Sequence, residues 1–449
     1  MNSPNYTDRE NITSLLASHE FSPCEIKMKE QIVSIEFCKV LVSKLSDPFI
    51  QVRYNTVSAI INLIICYSES DMDAIFLFNS DLFPAVESIL TEYKNNMDMS
   101  IKYSEGEQSK INKLIKNVVD LLLLLMDLYD TGEYKDYNKL QMDGLISLSV
   151  NFILNPGFLD EDVILNFIML TASFFTLRVI NINNNNNLIN FIHFAENIVF
   201  NQEARNKANV LVVACFTSTI FYFYCSNITV DNNPDLNKLK MIETLIEMIH
   251  QNINFDLASQ IEELNVNIQN FVKEEANTDD VEMMSETADD KNHEANSIIK
   301  KKIKNAEDYI RATLNYLKTF TDVINSVELN FNTNRNLNSS LSVNDDEIED
   351  IDEDDSGEVI EGKSEIEKSV GSVINFIFQN TNYDQLQKML HKSFLENLIE
   401  FFNNLTIEEF LLSDFDKMIK VKELLYDLEY FTLSLINNII QNIDNIYGK

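Results

Sequence analysis

The stretch Leu45 to Leu63, LSDPFIQVRYNTVSAIINL, contains a sharp corner between two amphipathic helices. Before the corner, apolar residues follow the three-and-four spacing that lines one helix face, at Ile35, Cys38, Leu41, Val42 and Leu45. Asp47 is suited to cap the second helix, and Pro48 suits its first position, where no backbone donor is needed. A second stripe then follows at Val52, Thr56, Ala59, Ile60, Leu63 and Ile64. Such helices bury their apolar faces against neighbours, which predicts a stack of helical repeats.

Glycine and proline are scarce in this chain of 449 residues, with eight Gly and six Pro. So few turn residues cannot punctuate many strands, and long segments with helical periodicity lie between them. A hydrophobic content of 45% is enough for one large core or an extended array. These features together predict an all-α protein.

Helical periodicity can be followed in pairs along the chain. The pairs lie at about 31–45 with 49–67, 80–95 with 110–130, 139–153 with 160–178, 188–199 with 205–226, and 235–250 with 255–273. A spacing of about 40 to 50 residues fits armadillo or HEAT units, so the expected fold is a right-handed superhelical solenoid. The run Asn183 to Asn187 interrupts the pattern and is expected to be a solvated loop.

Two acidic segments without Lys or Arg break this array. Glu274 to Asp290 contains eight acids and Asp345 to Glu361 contains eleven, and both are expected to be disordered insertions. The predicted organisation is an N-terminal segment (1–28), armadillo-like repeats (29–273), an acidic loop (274–296), a helical segment (297–330), an acidic disordered loop (331–363) and HEAT-like C-terminal repeats (364–449). The last part includes predicted helices at about 383–404 and 416–445.

The formal net charge of -36 excludes ordinary nucleic-acid binding through a cationic face and favours a basic partner. The first residues, MNSPNYTDRENITS, are polar and do not resemble a secretory leader. One uncharged segment, Ala208 to Asn227, approaches the length of a membrane span, but a buried helix inside a helical stack is the favoured interpretation. Five cysteines without CxxC spacing suit a reducing compartment.

The order of these parts resembles the symportin family, in which N-terminal armadillo repeats and C-terminal HEAT repeats flank an acidic insertion. DPFIQVRYNTVSAIINLI (Asp47 to Ile64) looks like the family's first full repeat, and NVLVVACFTSTIFYFY (Asn209 to Tyr224) looks like the inner helix of a later one. IRATLNYLKTFTDVINSVE (Ile310 to Glu328), just ahead of DDEIEDIDEDDSGE, resembles the helix and acidic loop near the family's midpoint. The final KELLYDLEYFTLSLINNII resembles a C-terminal HEAT helix.

The resemblance implies a nuclear import chaperone that carries the two basic ribosomal proteins of the 5S ribonucleoprotein together from the cytoplasm to the nucleus, with an import receptor as a further partner. The family's basic N-terminal import signal is absent from MNSPNYTDRENITSLL. Asn62 keeps the asparagine that faces the groove in armadillo repeats, whereas the matching places in later helices are Leu124 and Tyr222. The alternative function is a structural scaffold, an armadillo-like subunit of a larger assembly.

The candidate cargo-binding residues are Asn62 and the acids of the second acidic segment. Asn62 either clamps the backbone of an extended ligand or is satisfied within its own repeat. Arg53 is expected to pair with acids of neighbouring repeats rather than with cargo. The acidic candidates, which would attract basic cargo or serve only as a solvated linker, are Asp345, Asp346, Glu347, Glu349, Asp350, Asp352, Glu353, Asp354 and Asp355.

No catalytic constellation stands out in the sequence. The chain lacks HExxH, GxSxG, P-loop and GxGxxG motifs, and its five histidines are scattered singly. The run Asp352-x-Asp354-x-Ser356-Gly357 imitates the start of a calcium-binding EF-hand loop, but Lys363 stands where that loop needs a bidentate Glu. We therefore expect a non-enzymatic protein-binding chain with no metal, no cofactor, no membrane association and no direct nucleic-acid contact.

Overall fold

The computed structural model describes residues 3–18, 35–69, 81–99, 101–130, 142–176, 186–227, 235–264, 266, 298, 300–324, 373, 392–405 and 419–441. Of these residues 88% are helical, in 15 helices, and there is no strand among them. The all-α prediction is confirmed. The chain divides into two compact units, Met1–Phe194 and Ala195–Lys449, and each is described by itself.

The described part of unit 1 contains seven complete helices, which alternate between two rows. They are α1 (Tyr6–Ala17), α2 (Ile35–Lys44), α3 (Ile50–Glu69), α4 (Leu82–Asp98), α5 (Glu105–Asp130), α6 (Asp143–Leu154) and α7 (Glu161–Thr176). In one row α1, α3, α5 and α7 pack in sequence, and in the other α2, α4 and α6 do the same. Contacts of α2 with α3 and of α6 with α7 join the rows. The helices thus pack against their row neighbours, and α2, α3, α6 and α7 also contact the facing row.

The corner that opens α3 differs slightly from the sequence-based expectation. Asp47 accepts a hydrogen bond from the Phe49 amide at 3.1 Å, so its carboxylate caps the start of the second helix as predicted. Because this short turn closes over Pro48, the helix begins at Ile50 and Pro48 lies two residues before it. The predicted stripe is otherwise confirmed, since Val52, Thr56, Ala59, Ile60, Leu63 and Ile64 are all buried.

The turn between α6 and α7 depends on a glycine. Gly157 has a φ of 60°, in the left-handed region where a side chain is strained. The Leu159 amide donates to the Pro156 carbonyl at 3.0 Å and closes the turn.

Helix α8 (Asn186–Val199) includes residues assigned to each unit, and the structure describes seven more helices in unit 2. They are α9 (Gln202–Lys207), α10 (Val210–Ser226), α11 (Leu236–Asn252), α12 (257–264), α13 (300–324), α14 (Lys392–Asn404) and α15 (Ile419–Gln441). The last two asparagines of the polyasparagine run belong to α8, and its other three lie outside the described residues.

Helix α13 packs against helices that precede and follow it by long stretches of chain. Phe320 of α13 lies 5.8 Å from the His250 ring of α11 and 5.4 Å from the Phe394 ring of α14. On another side, the Lys318 ammonium lies 4.6 Å from the Phe431 ring centroid of α15. The predicted helical segment at 297–330 thus contains α13, whose Phe320 is buried in the core of unit 2.

Helix α10 carries the uncharged segment. Twelve of its residues are buried, and Thr217, Ser218 and Thr219 at its centre are among them. Thr217 and Thr219 donate to helix carbonyls four residues earlier, which satisfies their hydroxyls inside the core. Over the described ranges of the chain, no helix is both long and apolar enough to cross a bilayer.

Candidate functional site

Asn62 lies half-buried on α3, and its side chain is engaged inside the molecule. Its amide nitrogen donates a hydrogen bond to the Ala17 carbonyl at the last residue of α1, at 2.8 Å. Asn62 therefore binds a backbone carbonyl, as a clamp for an extended ligand would, but this carbonyl belongs to the same chain. The hypothesis that Asn62 binds cargo stays a prediction, and it now requires α1 to leave this position.

Helix α1, which sequence analysis left without a helix assignment, is held on α3 by a buried ion pair. Arg9 donates from Nε to Asp47 Oδ2 at 2.7 Å and from Nη2 to Asp47 Oδ1 at 3.3 Å. The Arg9 guanidinium also lies 5.6 Å from the Phe49 ring, and Tyr6 packs on that ring at 4.0 Å. The local signal for α1 is Asn5, whose side chain accepts from the Thr7 amide and caps the helix.

Burial raises the pKa of the Asp47 carboxyl, because a charged carboxylate loses hydration in the protein. The hydrogen bonds from Arg9 and from the Phe49 amide, with the positive charges of Arg9 and Lys44, outweigh this effect. The net result is a pKa below the ordinary value of 3.8, so Asp47 is ionised and paired at neutral pH.

Asparagine amides link successive helices of the α1–α3–α5–α7 row. Asn62 of α3 holds α1, Asn117 of α5 donates to Ser58 of α3 at 2.8 Å, and Asn166 of α7 donates to Asp120 of α5 at 2.8 Å. In each pair the asparagine comes from the later helix and its acceptor from the earlier one. This series, which we call the asparagine series, bonds neighbouring helices to each other.

The positions matched to Asn62 in later helices have different surroundings. Leu124 is half-buried on α5. Tyr222 is buried on α10, and its hydroxyl donates to Asp322 of α13 at 2.5 Å. Sequence comparison of equivalent positions did not reveal Asn117 and Asn166, because they lie at other places along their helices.

The Arg53 side chain is 7% exposed and is bound within unit 1. It donates from Nη1 to Glu92 Oε2 of α4 at 2.9 Å, and its guanidinium carbon lies 5.5 Å from the Tyr93 ring. This ion pair joins Arg53 to an acid of another helix rather than leaving it free for a ligand.

The acidic candidates lie outside the described residues. This applies to Asp345, Asp346, Glu347, Glu349, Asp350, Asp352, Glu353, Asp354 and Asp355, and equally to Glu274–Asp290 and to the calcium-like run that ends at Lys363. Their role as cargo-binding residues stays a prediction.

An exposed apolar stripe follows one face of α15. It comprises four side chains that are at least half exposed: Tyr426, Tyr430, Leu433 and Ile440. Glu423 and Asp427 are exposed residues beside its first half; partial burial raises the pKa of the Asp427 carboxyl, against the opposing effect of the positive charges of Lys318 and Arg311. Tyrosine combines apolar area with a polar tip and is enriched at protein interfaces, so this face is suited to contact a protein with cationic side chains.

A second exposed feature escaped sequence analysis. Residues 300–304 are Lys-Lys-Lys-Ile-Lys, with four exposed lysines around Ile303, which is 5% exposed. The signal is visible in the sequence as a short lysine-rich run.

The described cysteines and acids do not form a reactive centre. Cys38 and Cys215 are buried, and loss of hydration raises the pKa of both thiols to about 12, so neither is a thiolate at neutral pH. Across the ranges that the structure describes, no three His, Cys, Asp or Glu side chains are grouped to hold a metal ion.

Comparison with known proteins identified no relative of this chain. No protein-family model matches the chain, and neither a curated protein nor a solved structure matches it.

Proposed function

We propose that this chain is a non-enzymatic carrier of basic proteins, and specifically a symportin-like nuclear import chaperone for the ribosomal proteins that bind 5S ribosomal RNA. The observation that carries the proposal is the charge distribution. The chain has 71 acids against 35 Lys and Arg, and nineteen of the acids stand in two segments without a single cation. A cationic ribosomal protein is the complementary partner, and such attraction acts over about 8 Å in physiological salt.

The helical framework supports this proposal as a binding surface. The two rows of unit 1 follow the neighbour-on-neighbour pattern of helical repeats, and we propose that they belong to an armadillo/HEAT-like right-handed solenoid. The exposed apolar stripe on α15, with Glu423 and Asp427 beside it, supplies apolar side chains that a bound protein can cover, in addition to the attraction between charges. A protein with this proposed transport function is expected in both the cytoplasm and the nucleus.

Co-purification tests the carrier function. Tagged protein comprising residues 1–449 is drawn from a lysate at low salt, and we expect both 5S-binding ribosomal proteins among the recovered partners. Recovery of neither, while an established ribosomal-protein chaperone recovers them in parallel, would end the proposal.

Two length-preserving variants then test the acidic segments. In the first, every Asp and Glu of Glu274–Asp290 and Asp345–Glu361 becomes Asn or Gln, which removes nineteen negative charges. In the second, the residues of each segment are shuffled, so the charge is kept. We expect the first to bind cargo more weakly and with less salt dependence, and the second to bind as the natural chain does. Equal cargo binding by the natural chain and both variants would mean that cargo is recognised outside the two acidic segments.

The second candidate function is an armadillo-like scaffold subunit. One specific observation favours it, because α1 occupies Asn62, the residue that would otherwise clamp an extended ligand. A scaffold predicts that the partners recovered from the lysate are the same for the natural chain and for the amide variant.

A further inference from the structure

Helix α15 (Ile419–Gln441) carries apolar residues on two faces. One face is buried in unit 2 and comprises Val421, Leu424, Leu425, Leu428, Leu435, Ile436 and Ile439. The other face is the exposed apolar stripe, in which Tyr430 is 69% exposed and Leu433 is 50% exposed. Exposed apolar residues that adjoin one another in this way are typical of an interaction surface.

The exposed residues of α15 recur with the spacing of a coiled-coil seam. They are separated by three, four, three, four and three residues, and we call them the α15 seam: Glu423, Tyr426, Tyr430, Leu433, Asn437 and Ile440. This alternation places the a and d positions of a heptad repeat along one narrow line. The buried face is wider, because it includes adjacent pairs such as Leu424 with Leu425. A narrow line of this kind fits a single partner helix.

The α15 seam is complementary to itself when a second copy runs in the opposite direction. Tyr430 then packs on the partner's Leu433, and Tyr426 meets the partner's Asn437, because both pairs are centred on the same point between positions 431 and 432. Apolar residues thus lie at the centre of the pair. Toward each end a tyrosine hydroxyl meets a side-chain amide, which can form a hydrogen bond with it.

Charge separates the antiparallel arrangement from the parallel one. The exposed acids of this face, Glu423 and Asp427, both lie in the first half of the helix. A parallel pair would place Glu423 against the partner's Glu423, where like charges repel each other. In an antiparallel pair these two carboxylates are 17 residues apart along the axis. At 1.5 Å per residue this is about 25 Å, well beyond the screening length of about 8 Å in physiological salt.

Charge also separates a second copy from a basic partner. Cationic side chains would find acids only at the start of the seam, because residues 430–441 contain no charged side chain. An uncharged apolar helix covers more of this face than a basic segment does. The second copy supplies such a helix.

We propose that the α15 seam binds the same seam of a second copy in an antiparallel helix pair, which makes the protein a reversible homodimer. The inference goes beyond the proposed carrier function and does not depend on it. Because α15 is already folded within unit 2, pairing has little further chain to order. A contact of one helix per copy is small, and weak, transient complexes bury less than about 1,200 Å² in total. We therefore expect the dimer to depend on concentration.

Sedimentation velocity of the protein comprising residues 1–449 tests the dimer. We expect it to change from monomer to dimer between about 1 μM and about 200 μM. Association is expected to strengthen between about 50 mM and about 500 mM NaCl, because salt screens the repulsion between two chains with a net charge of -36. A partner attracted by opposite charge would bind more weakly at the higher salt concentration.

Two variants at the centre of the seam test the pairing. Tyr430→Lys and Leu433→Glu each bring an uncompensated charge into the contact, and we expect each to associate at least about tenfold more weakly than the natural chain. In an equal mixture of the two variants, the new ammonium at position 430 of one copy meets the new carboxylate at position 433 of the other. We expect the mixture to recover much of the lost association.

A matched control is Leu15→Glu, which makes the same change of charge at a leucine of α1 that is 70% exposed. It is expected to associate as the natural chain does, and circular dichroism is expected to show equal helix content in all four proteins. A natural chain that stays monomeric at every concentration overturns the proposal, as does equal association by Leu433→Glu. A mixture that does not recover association overturns the antiparallel pairing.

Two further outcomes assign the face to another occupant and also overturn the dimer. If the natural chain is monomeric and Leu433→Glu melts at a lower temperature, whereas Leu15→Glu does not, another part of the same chain covers the seam. If the natural chain is monomeric and Leu433→Glu loses capture of the 5S-binding ribosomal proteins, the seam binds cargo. A natural chain that dimerises but captures neither ribosomal protein supports the dimer and ends the carrier function.

Discussion

At the scale of single residues, the Arg9–Asp47 pair is a buried ionic contact between α1 and the start of α3. The Asp47 side chain is 5% exposed, and its carboxylate both caps the start of α3 and binds Arg9. Removing one partner of a buried pair leaves the other charge without compensation, which is far more destabilising than loss of an exposed pair.

For Arg9→Ala we expect docking of α1 to weaken by about 3 kcal/mol, because the Asp47 charge remains buried. Amide hydrogen exchange in Tyr6–Ala17 measures this effect as a loss of protection of about a hundredfold. Adding Asp47→Asn to Arg9→Ala is expected to restore most of the amide protection of Tyr6–Ala17, because the buried charge is removed and an acceptor for the Phe49 amide is kept. The control Lys207→Ala breaks the exposed Lys207–Glu203 pair, and we expect it to lower the free energy of unfolding by at most about 0.5 kcal/mol. Unchanged α1 protection in Arg9→Ala would contradict the assigned role.

The lowered pKa of Asp47 makes the same contact sensitive to acid. Because the folded pKa lies below the unfolded value of 3.8, the stabilisation is present above that value and is lost as the pH falls through the folded pKa. We expect the natural chain to melt higher than Asp47→Asn at about pH 6, and the difference to shrink by about pH 3. Thermal melts of both proteins across this range provide the measurement. A difference that grows on acidification would refute the assignment.

At the scale of helices, polar contacts select which helices pack together. The faces of α10 and α13 meet through several hydrogen bonds: Asn209 donates to Asp308 at 2.7 Å, Ser218 donates to Asn315 and contacts Thr319 at 2.9 Å, and Tyr222 donates to Asp322. An apolar interface would tolerate a shift of one turn, whereas this one leaves buried polar groups unsatisfied if it slips.

Two asparagine caps allow the value of one such contact to be isolated. Asn209 caps α10 and also satisfies Asp308, whereas Asn201 caps α9 with its side chain at the surface. We expect Asn201→Ala to lower the free energy of unfolding by about 1 kcal/mol, which is typical for the loss of a helix cap. We expect Asn209→Ala to lower it by about 2 kcal/mol or more, because the buried Asp308 carboxylate also loses its hydrogen-bond donor. Urea unfolding measures both. Equal losses would mean that the Asp308 contact contributes nothing.

At the scale of the whole molecule, charge repulsion opposes folding. A net charge of -36 destabilises the compact state, and salt screens that repulsion. We expect the melting temperature to rise by a few degrees between about 10 mM and about 150 mM NaCl, and to rise less in the amide variant of the two acidic segments. Melting curves at matched protein concentration measure this rise. A larger rise in the amide variant would contradict the charge argument.

Much of the helical framework was predictable because its signal is local. Apolar stripes and the DP corner located α2 to α7, most with ends within a few residues of those observed, since periodicity and capping depend on residues three or four apart. The position of α1 was not predictable in the same way. Its decisive residue, Arg9, has a partner 38 residues away, and nothing near Arg9 in the chain indicates it.

The candidate site illustrates the same limit. The asparagine at position 62 and the lysines at 300–304 are visible to inspection of the chain, as is the excess of acids. The sequence therefore sufficed for the all-α class, the positions of α2 to α7 and the anionic character, because each arises from composition or short-range spacing. Packing alone revealed that Asn62 binds Ala17, that asparagines join the row, and that α13 lies against α10 and α14, because these partners are separated by about 45 to 100 residues or belong to distant helices.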